Sequence, residues 1–347
     1  MKQLYDRMLA ALERGENVVL CRIVASSGSV PRGMGACMAV FSDGSTLGTI
    51  GGGAVERLAV HQAKEVHGKK TAICRGFCLA PNQVADIGMI CGGEVTVYFQ
   101  FFAAEDERAA ALLYAAAELI SSGKNGWRIT RLEGESVTGE GLFDEEHGLR
   151  FLDGISEQAL SPLLTDKAVY RAGMPAYAAE PISRAGVVYL FGGGHVGKEL
   201  VPLLVKVGFR IVVYDDREAY AKAENYPQAE RVIFGDYLHI AERIEITADD
   251  YVVIMTPGHQ ADRELLLQTI RTDAAYIGCI GSKNKVRRTN EYLLANGIEK
   301  QALLRIHSPI GLEIYAQTPA EIAVSVAAEM IRHRALLSGI GGHEAAN

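Results

Sequence analysis

The chain has 347 residues, long for a single hydrophobic core, so two domains are expected. Apolar residues make up 48% and charged residues 22%, which excludes a disordered chain, and the net charge of −7 argues against nucleic acid or an anionic membrane as partner. No apolar run approaches the roughly 18 residues that a membrane span needs. "MKQLYDRMLAALERGENVVL" carries charge throughout and reads as an amphipathic helix, not a signal peptide, so a cytoplasmic location is expected.

In chain order, the opening helix covers roughly 2 to 14 and stops at Gly15. "NVVLCRIVAS" reads as a buried strand, and "GACMAVFSDGSTLGTIGGG" as a hairpin turning at Asp43-Gly44. "AVERLAVHQAKEV" is helical, "EVTVYFQFF" a strand and "EDERAAALLYAAAELISSG" a helix. From Trp127 to Ser183 the signal weakens: "WRITRLEGESVTGEGLF" suggests a hairpin, the next twenty residues a polar surface excursion, and "AYAAEPIS" a returning strand. Pro181 to Gly186 marks the boundary, which divides the chain into 1–183 and 184–347. Beyond it strand (187–191), helix (195–207), strand (210–215), a helical stretch, strand "ERVIFGD", strand (251–256), helix (260–271) and strand "AYIGCIGS" follow one another. The fold class is therefore α/β, with a C-terminal Rossmann-like parallel sheet of order 3-2-1-4-5 preceded by a separate α/β (α+β) domain.

The glycines of "FGGGHVG" each have a reason. Gly192 allows a tight turn, Gly194 lets a pyrophosphate approach the backbone, and Gly197 lets the helix pack on the strand. The helix that starts at His195 supplies N–H groups and a partial positive charge for phosphate. Its core face runs through Val196, Leu200, Leu203, Leu204 and Val207, and Pro202 should kink it. Asp215, eighteen residues after Gly197, stands where an acid binds ribose. The alternative is a Rossmann unit kept for packing alone. His259 and Asp262 in "TPGHQAD", Ser282 and Lys283 in "GSK", and His307 in "HSPIG" follow later elements and could gather at the same crevice. The spacing of His195, His259 and His307 does not enforce a metal site.

The first domain has its own glycine-rich helix start, "IGGGAVE" (Gly51, Gly52, Gly53, Glu56), whose N–H groups could cradle an anion, with Arg32 as a charged clamp. Such turns equally serve close packing, and the residues alone do not separate the two readings. The six cysteines (21, 37, 74, 78, 91, 279) form no C-x-x-C pair and read as reduced thiols. Cys91, in "GMICGG" at a loop, is the one whose sulfur could meet a soft metal or take part in sulfur transfer.

"GSVPRGMGA", "DGSTLGTIGGGAVE", "GMICGG", "FGGGHVG", "VYDDRE", "TPGHQAD", "YIGCIGSKNK" and "HSPIGLEIYAQTPAEIAVSVAAEMI" together resemble the XdhC/CoxI family of xanthine dehydrogenase accessory factors, over nearly the whole chain. The resemblance implies a cytosolic homodimer that binds the molybdenum cofactor (molybdopterin or its dinucleotide form). It also implies presentation of that cofactor for sulfuration by a cysteine desulfurase and insertion into a xanthine dehydrogenase-type molybdenum hydroxylase. Cys91 then becomes the residue to touch molybdenum or sulfur. Arg32, Gly51, Gly52, Gly53 and Glu56 match the first motif, and His259, Asp262, Ser282, Lys283, His307 and Pro309 the second set. Three positions depart: Cys37 replaces a basic residue, Val30 a small polar one, and Pro257 a histidine.

On this reading the protein binds and transfers a cofactor without turnover of its own. The competing reading is an oxidoreductase that uses NAD(P) in the Rossmann site, with His259 as proton donor. The chain is not itself the hydroxylase, whose iron–sulfur ligand runs are missing from the sequence.

Overall fold

Helix α1 (Lys2–Glu13) and strand β1 (Val18–Ser27) open the chain where hydrophobic periodicity places them. They belong to a computed structural model that describes residues 1–78, 93–134, 136–165, 167–184 and 186–337. Contacts divide the chain into two units, Met1–Arg184 and Ala185–Asn347.

In the first unit β1 is followed by β2 (Cys37–Phe41), β3 (Thr46–Gly48), α2 (Gly53–Lys69), β4 (Ile73–Cys78) and β5 (Glu94–Phe102). These strands make one antiparallel sheet of order β3-β2-β1-β5-β4. Asp43-Gly44 forms the β2–β3 turn, with Gly44 at φ 83° and the Asp43 carboxylate accepting from the Ser45 N–H at 2.8 Å. Both faces of β1 are buried from Val18 to Val24, which explains why its apolar residues do not alternate with polar ones. Val19, Cys21 and Ile23 pack with Ala59, Ala63 and Val66 of α2. Val18 and Leu20 pack with α1 and α3 (Glu107–Ser122).

The segment with the weak signal builds an entire second sheet. It contains β6 (Gly126–Glu133), β7 (Ser136–Asp144), β8 (Gly148–Arg150), the short α4 (Glu157–Leu160), β9 (Val169–Arg171) and β10 (Ala176–Ser183). Its order is β8-β7-β6-β10-β9, so the expected polar excursion carries an edge strand, and "AYAAEPIS" pairs with β6 and β9 of this sheet.

The two sheets meet over buried charge. Arg22 of β1, 2% exposed, donates from Nη1 to Glu180 of β10 at 2.6 Å and from Nη2 to Glu140 of β7. Burial alone would lower the Arg22 guanidinium, but Glu140 and Glu180 outweigh it and hold it above its usual value. Arg128 of β6 lies 3.6 Å from Glu140 and over the Tyr5 ring, and Gln100 donates to Glu140. Two arginines thus face two glutamates inside one core, a neutral set that tolerates no single deletion.

The second unit follows the Rossmann plan. It comprises β11 (Val188–Phe191), α5 (His195–Lys206), β12 (Ile211–Asp215), β13 (Arg231–Phe234), β14 (Tyr251–Ile254), α6 (His259–Thr269), β15 (Tyr276–Cys279), α7 (Lys283–Ala295), β16 (Ile306–His307) and α8 (Pro319–Leu337). The sheet order is β13-β12-β11-β14-β15-β16 and every pairing is parallel. The helical stretch expected between β12 and β13 is a single 3-10 turn, Ala223–Asn225. Pro227 closes off any longer helix there, and Tyr226 is drawn inward to the glycine turn. Pro202 lies within α5, as its position in the sequence requires.

Replacing Arg22 by Met strands Glu140 and Glu180 inside the first unit. That unit is expected to lose about 3–5 kcal/mol in urea unfolding. Removing the exposed Arg14 partner of Glu16 by Arg14→Ala, by contrast, should leave the urea midpoint unchanged, because solvent screens that pair.

Candidate functional site: the glycine turn and its acid

The turn after β11 is fixed by backbone hydrogen bonds to both neighbouring strands. The Gly192 N–H donates to the Tyr214 carbonyl at 2.9 Å, and the Met255 N–H donates to the Phe191 carbonyl at 2.8 Å. Gly192 has φ 105°, and a Cβ there would lie 2.5 Å from the Met255 carbonyl oxygen. A Cβ on Gly197 would come within 2.9 Å of the Gly192 oxygen. Both glycines are therefore required by packing. Gly194 differs. It has φ −80°, which any residue adopts, and a Cβ there would meet no atom within 4 Å. Space is thus kept directly over the N-terminus of α5. The first N–H to find an intrahelical acceptor is that of Lys198, bonded to the Gly194 carbonyl at 3.0 Å. The N–H groups of His195, Val196 and Gly197 are the ones that helix geometry leaves pointing outward. His195 is exposed at this end. An open, amide-lined helix start of this kind suits a phosphate.

Asp215 ends β12 and is fully buried. Its Oδ2 accepts from the Gly193 N–H at 2.7 Å, so the acid holds the glycine turn. Arg217 contributes the other partners: its N–H and Nε reach Oδ1 at 2.9 and 2.8 Å, and its Nη2 reaches Oδ2 at 2.7 Å. The hydrogen bond to Asp215 raises the Arg217 guanidinium above its usual value. Tyr226 donates to the Gly193 carbonyl, and a Cβ on Gly193 would collide with that hydroxyl. The second glycine of "GGG" is thus explained by Tyr226.

At the end of β14, Asp262 is fully buried and accepts from the Thr256 hydroxyl at 2.5 Å and from the Thr256 N–H at 3.2 Å. Lys285 of α7 also donates to it. Asp262 therefore ties β14, α6 and α7 together. Ser282 is the N-cap of α7, its hydroxyl accepting from the Lys285 N–H at 3.4 Å. Lys283 and His259 are exposed at the starts of α7 and α6. Burial, with Asp262 nearby, pushes the neighbouring Cys279 thiol up to about 12, which keeps it protonated and inert.

His307 does not sit in a returning loop. It closes β16 at the sheet edge, two strands from β14, with its Nδ1 3.3 Å from Glu329 of α8 and its ring stacked on Tyr276. Glu329 also accepts from the Tyr276 hydroxyl and from the Gly311 N–H, so the cluster docks α8. Among the described residues no three His, Cys, Asp or Glu side chains converge on a metal position, and His195, His259 and His307 form no such group.

In the first unit, Gly51 packs on Pro31 and Arg32, a Cβ there lying 3.1 Å from the Pro31 Cβ, so the structure does bring these two motifs together. Arg32 is exposed. The turn's own N–H groups are occupied: Glu56 accepts from Gly52 N–H at 2.9 Å and Ile50 N–H at 3.3 Å, and the Thr49 hydroxyl accepts from Gly51 N–H at 3.1 Å. Glu56 and Thr49 thus satisfy the turn that leads into α2, whose own first N–H groups carry no side-chain cap, and Gly53 and Arg32 are exposed. A cavity of about 360 Å³ beside α2 is lined by Leu58, His61, Gln62, Arg75, Phe77 and Cys78. Sequence reading missed it because Arg75 and Gly76 interrupt the six-residue β4, a weak strand signal. Cys91 lies outside the described residues.

Two family profiles match the chain, "XdhC Rossmann domain" over residues 188–330 and "XdhC and CoxI family" over 11–75. The chain belongs to the XdhC and CoxI family. A Bacillus subtilis protein, named as a probable xanthine dehydrogenase subunit, is 27% identical over 96% of this chain and 98% of its own length. The Escherichia coli protein named "Uncharacterized protein YqeB" is 26% identical over 90% of this chain, which spans only 43% of that relative. A crystal structure of a xanthine dehydrogenase from Bacillus halodurans superposes with a TM-score of 0.79, at 25% identity and 95% coverage of both chains.

Within this XdhC Rossmann domain the glycines separate by role. Gly192→Ala combines a positive φ with a backbone clash, and is expected to destabilise the second unit by about 1–3 kcal/mol. Gly194→Ala changes only the N-cap residue of α5 and should cost less, about 1 kcal/mol in the same melt, while weakening any ligand held over α5.

Proposed function

We propose that this protein is an accessory factor for a xanthine dehydrogenase-type molybdenum hydroxylase, and that its cargo is the molybdenum cofactor. It holds the cofactor through its phosphate or nucleotide part, assists its sulfuration with a cysteine desulfurase, and hands it to the hydroxylase. The observation that carries this reading is the open amide-lined start of α5, where Gly194 leaves room that packing does not require. Membership of the XdhC and CoxI family and a relative named for xanthine dehydrogenase support the partner class.

The residues present fit a phosphate-bearing guest. Gly194, His195 and Gly197 surround the helix start, and Lys198 adds charge in its first turn. The cargo brings the metal and sulfur chemistry. The chain's own part is to grip the anionic end through N–H groups and to keep the turn rigid through Asp215 and Met255. Arg32 offers a second, exposed cation in the first unit, and Cys91 is the thiol assigned to sulfur or molybdenum contact. His259, Lys283 and Ser282 border the later strand ends; Asp262 and His307 act by holding elements in place. We place the protein in the cytoplasm as a homodimer. No helix among the described residues is long and apolar enough to cross a membrane.

The test is purification from cells that make molybdenum cofactor, with molybdenum and pterin fluorescence measured on the pure protein. Near-stoichiometric pterin, lost in Gly194→Val, is expected. Substrate-dependent oxidation of NADH at enzyme-like rates without retained pterin would instead establish the NAD(P)-dependent oxidoreductase.

A further inference from the structure

The acid at the end of β12 is the position at which a Rossmann unit reads ribose, and here its acceptor capacity is spent. A carboxylate offers about four lone-pair sites. Asp215 receives four N–H donors, one from Gly193 and three from Arg217, at 2.7 to 2.9 Å. A ribose diol would have to displace a charge-assisted fork from a fully buried carboxylate to be bound there. What the site shows to solvent is the other partner. The Arg217 side chain is 32% exposed. Its guanidinium has five N–H groups, of which Asp215 takes two, leaving three. Its plane is fixed over the Tyr220 ring, 3.8 Å from the centroid. Asn225 ties this loop down by donating to the Ala219 carbonyl at 3.1 Å, and Lys198 of α5 reaches Asn225 at 3.4 Å, which adds a second cation nearby. Asp216 opposes them at 3.9 Å from Arg217, but it is 45% exposed and screened by solvent.

We infer that the β12 end of this crevice recognises a phosphate monoester through Arg217 and rejects an unmodified ribose diol. The inference rests on the crevice being a ligand site, and it specifies which ligand group is read there. A 2′-phosphate on a ribose and the phosphate of a pterin side chain share this chemistry. The oriented fork, already neutralised and positioned by Asp215, loses little freedom when it binds such a group.

Isothermal titration of the full chain with NADP+ and NAD+ tests this, since the two probes differ only in the 2′-phosphate. NADP+ is expected to bind about 10-fold tighter or better, corresponding to one or two charge-assisted hydrogen bonds. The advantage should shrink as salt is raised. Inorganic phosphate that displaces NADP+ with millimolar affinity would indicate that a free monoester suffices, whereas no displacement would assign the site to phosphate carried on a sugar; either supports recognition of the phosphate group. Arg217→Lys keeps a charge for Asp215 and protects the fold, but removes the fork, and should lose most of the preference. Equal affinities, tighter NAD+, no binding of either nucleotide, or a preference retained in Arg217→Lys would overturn the inference. Those results leave pterin retention untouched as a separate test of the carrier reading, and failed pterin retention leaves the nucleotide comparison valid.

Discussion

The second unit is organised by one close approach: the backbone of Gly192 lies directly on the Met255 carbonyl at the end of the neighbouring strand. No side chain fits between them, so the turn can have only one shape. Asp215 then catches the Gly193 N–H, and Tyr226 takes the Gly193 carbonyl. Everything that the crevice can offer follows from this clamp. It aims the start of α5 at the space over Gly194, and it orients the carboxylate that holds Arg217. A buried charge is costly unless paired and hydrogen-bonded. That cost explains why the acid and its arginine arrive within three residues of each other.

The two glycine-rich helix starts look alike in sequence and differ in chemistry. At α2, Glu56 and Thr49 turn back and satisfy the amides of the turn. At α5 no acidic side chain stands in the first turn, and the residue beneath the open space has no side chain. A helix start that supplies its own carboxylate competes with an anionic guest, and one that lacks it does not. On the proposed reading, this contrast favours the second unit for the gripping role. In the first unit it leaves Arg32 and the groove by α2 as surface features of a scaffold held by Arg22, Glu140 and Glu180.

Much of the fold was legible in the sequence where side-chain period and glycine placement agreed. "EVTVYFQFF" is β5 to the residue, and the parallel order of the Rossmann sheet follows from its alternating elements. The second sheet of the first unit was legible only in part: the β6–β7 hairpin and β10 were read, but β8, β9 and the joining of all five strands were not. In β7, Gly139 and Gly141 interrupt the alternation because Leu152 packs where their side chains would be. Arg22 reads as a solvent-facing charge in any single-strand window, since its partners lie 118 and 158 residues away. In the candidate site, Gly192, Gly194, Gly197 and Asp215 were found from spacing. Arg217 and Lys285, which complete the two buried acids, were visible only as ordinary charges two and twenty-three residues from their partners. His307 was placed by its motif and not by its strand, so its docking role against Glu329 could not be anticipated.

The central claim is that the crevice over α5 carries a phosphorylated cofactor that the chain does not consume. Its most direct test is transfer to a cofactor-free hydroxylase from cofactor-loaded protein. The account predicts hydroxylase activation that stops at one equivalent of cofactor per loaded site, with none from Gly194→Val protein that remains folded. Equal activation by that variant, or steady-state turnover of a small metabolite by the isolated chain, would contradict it.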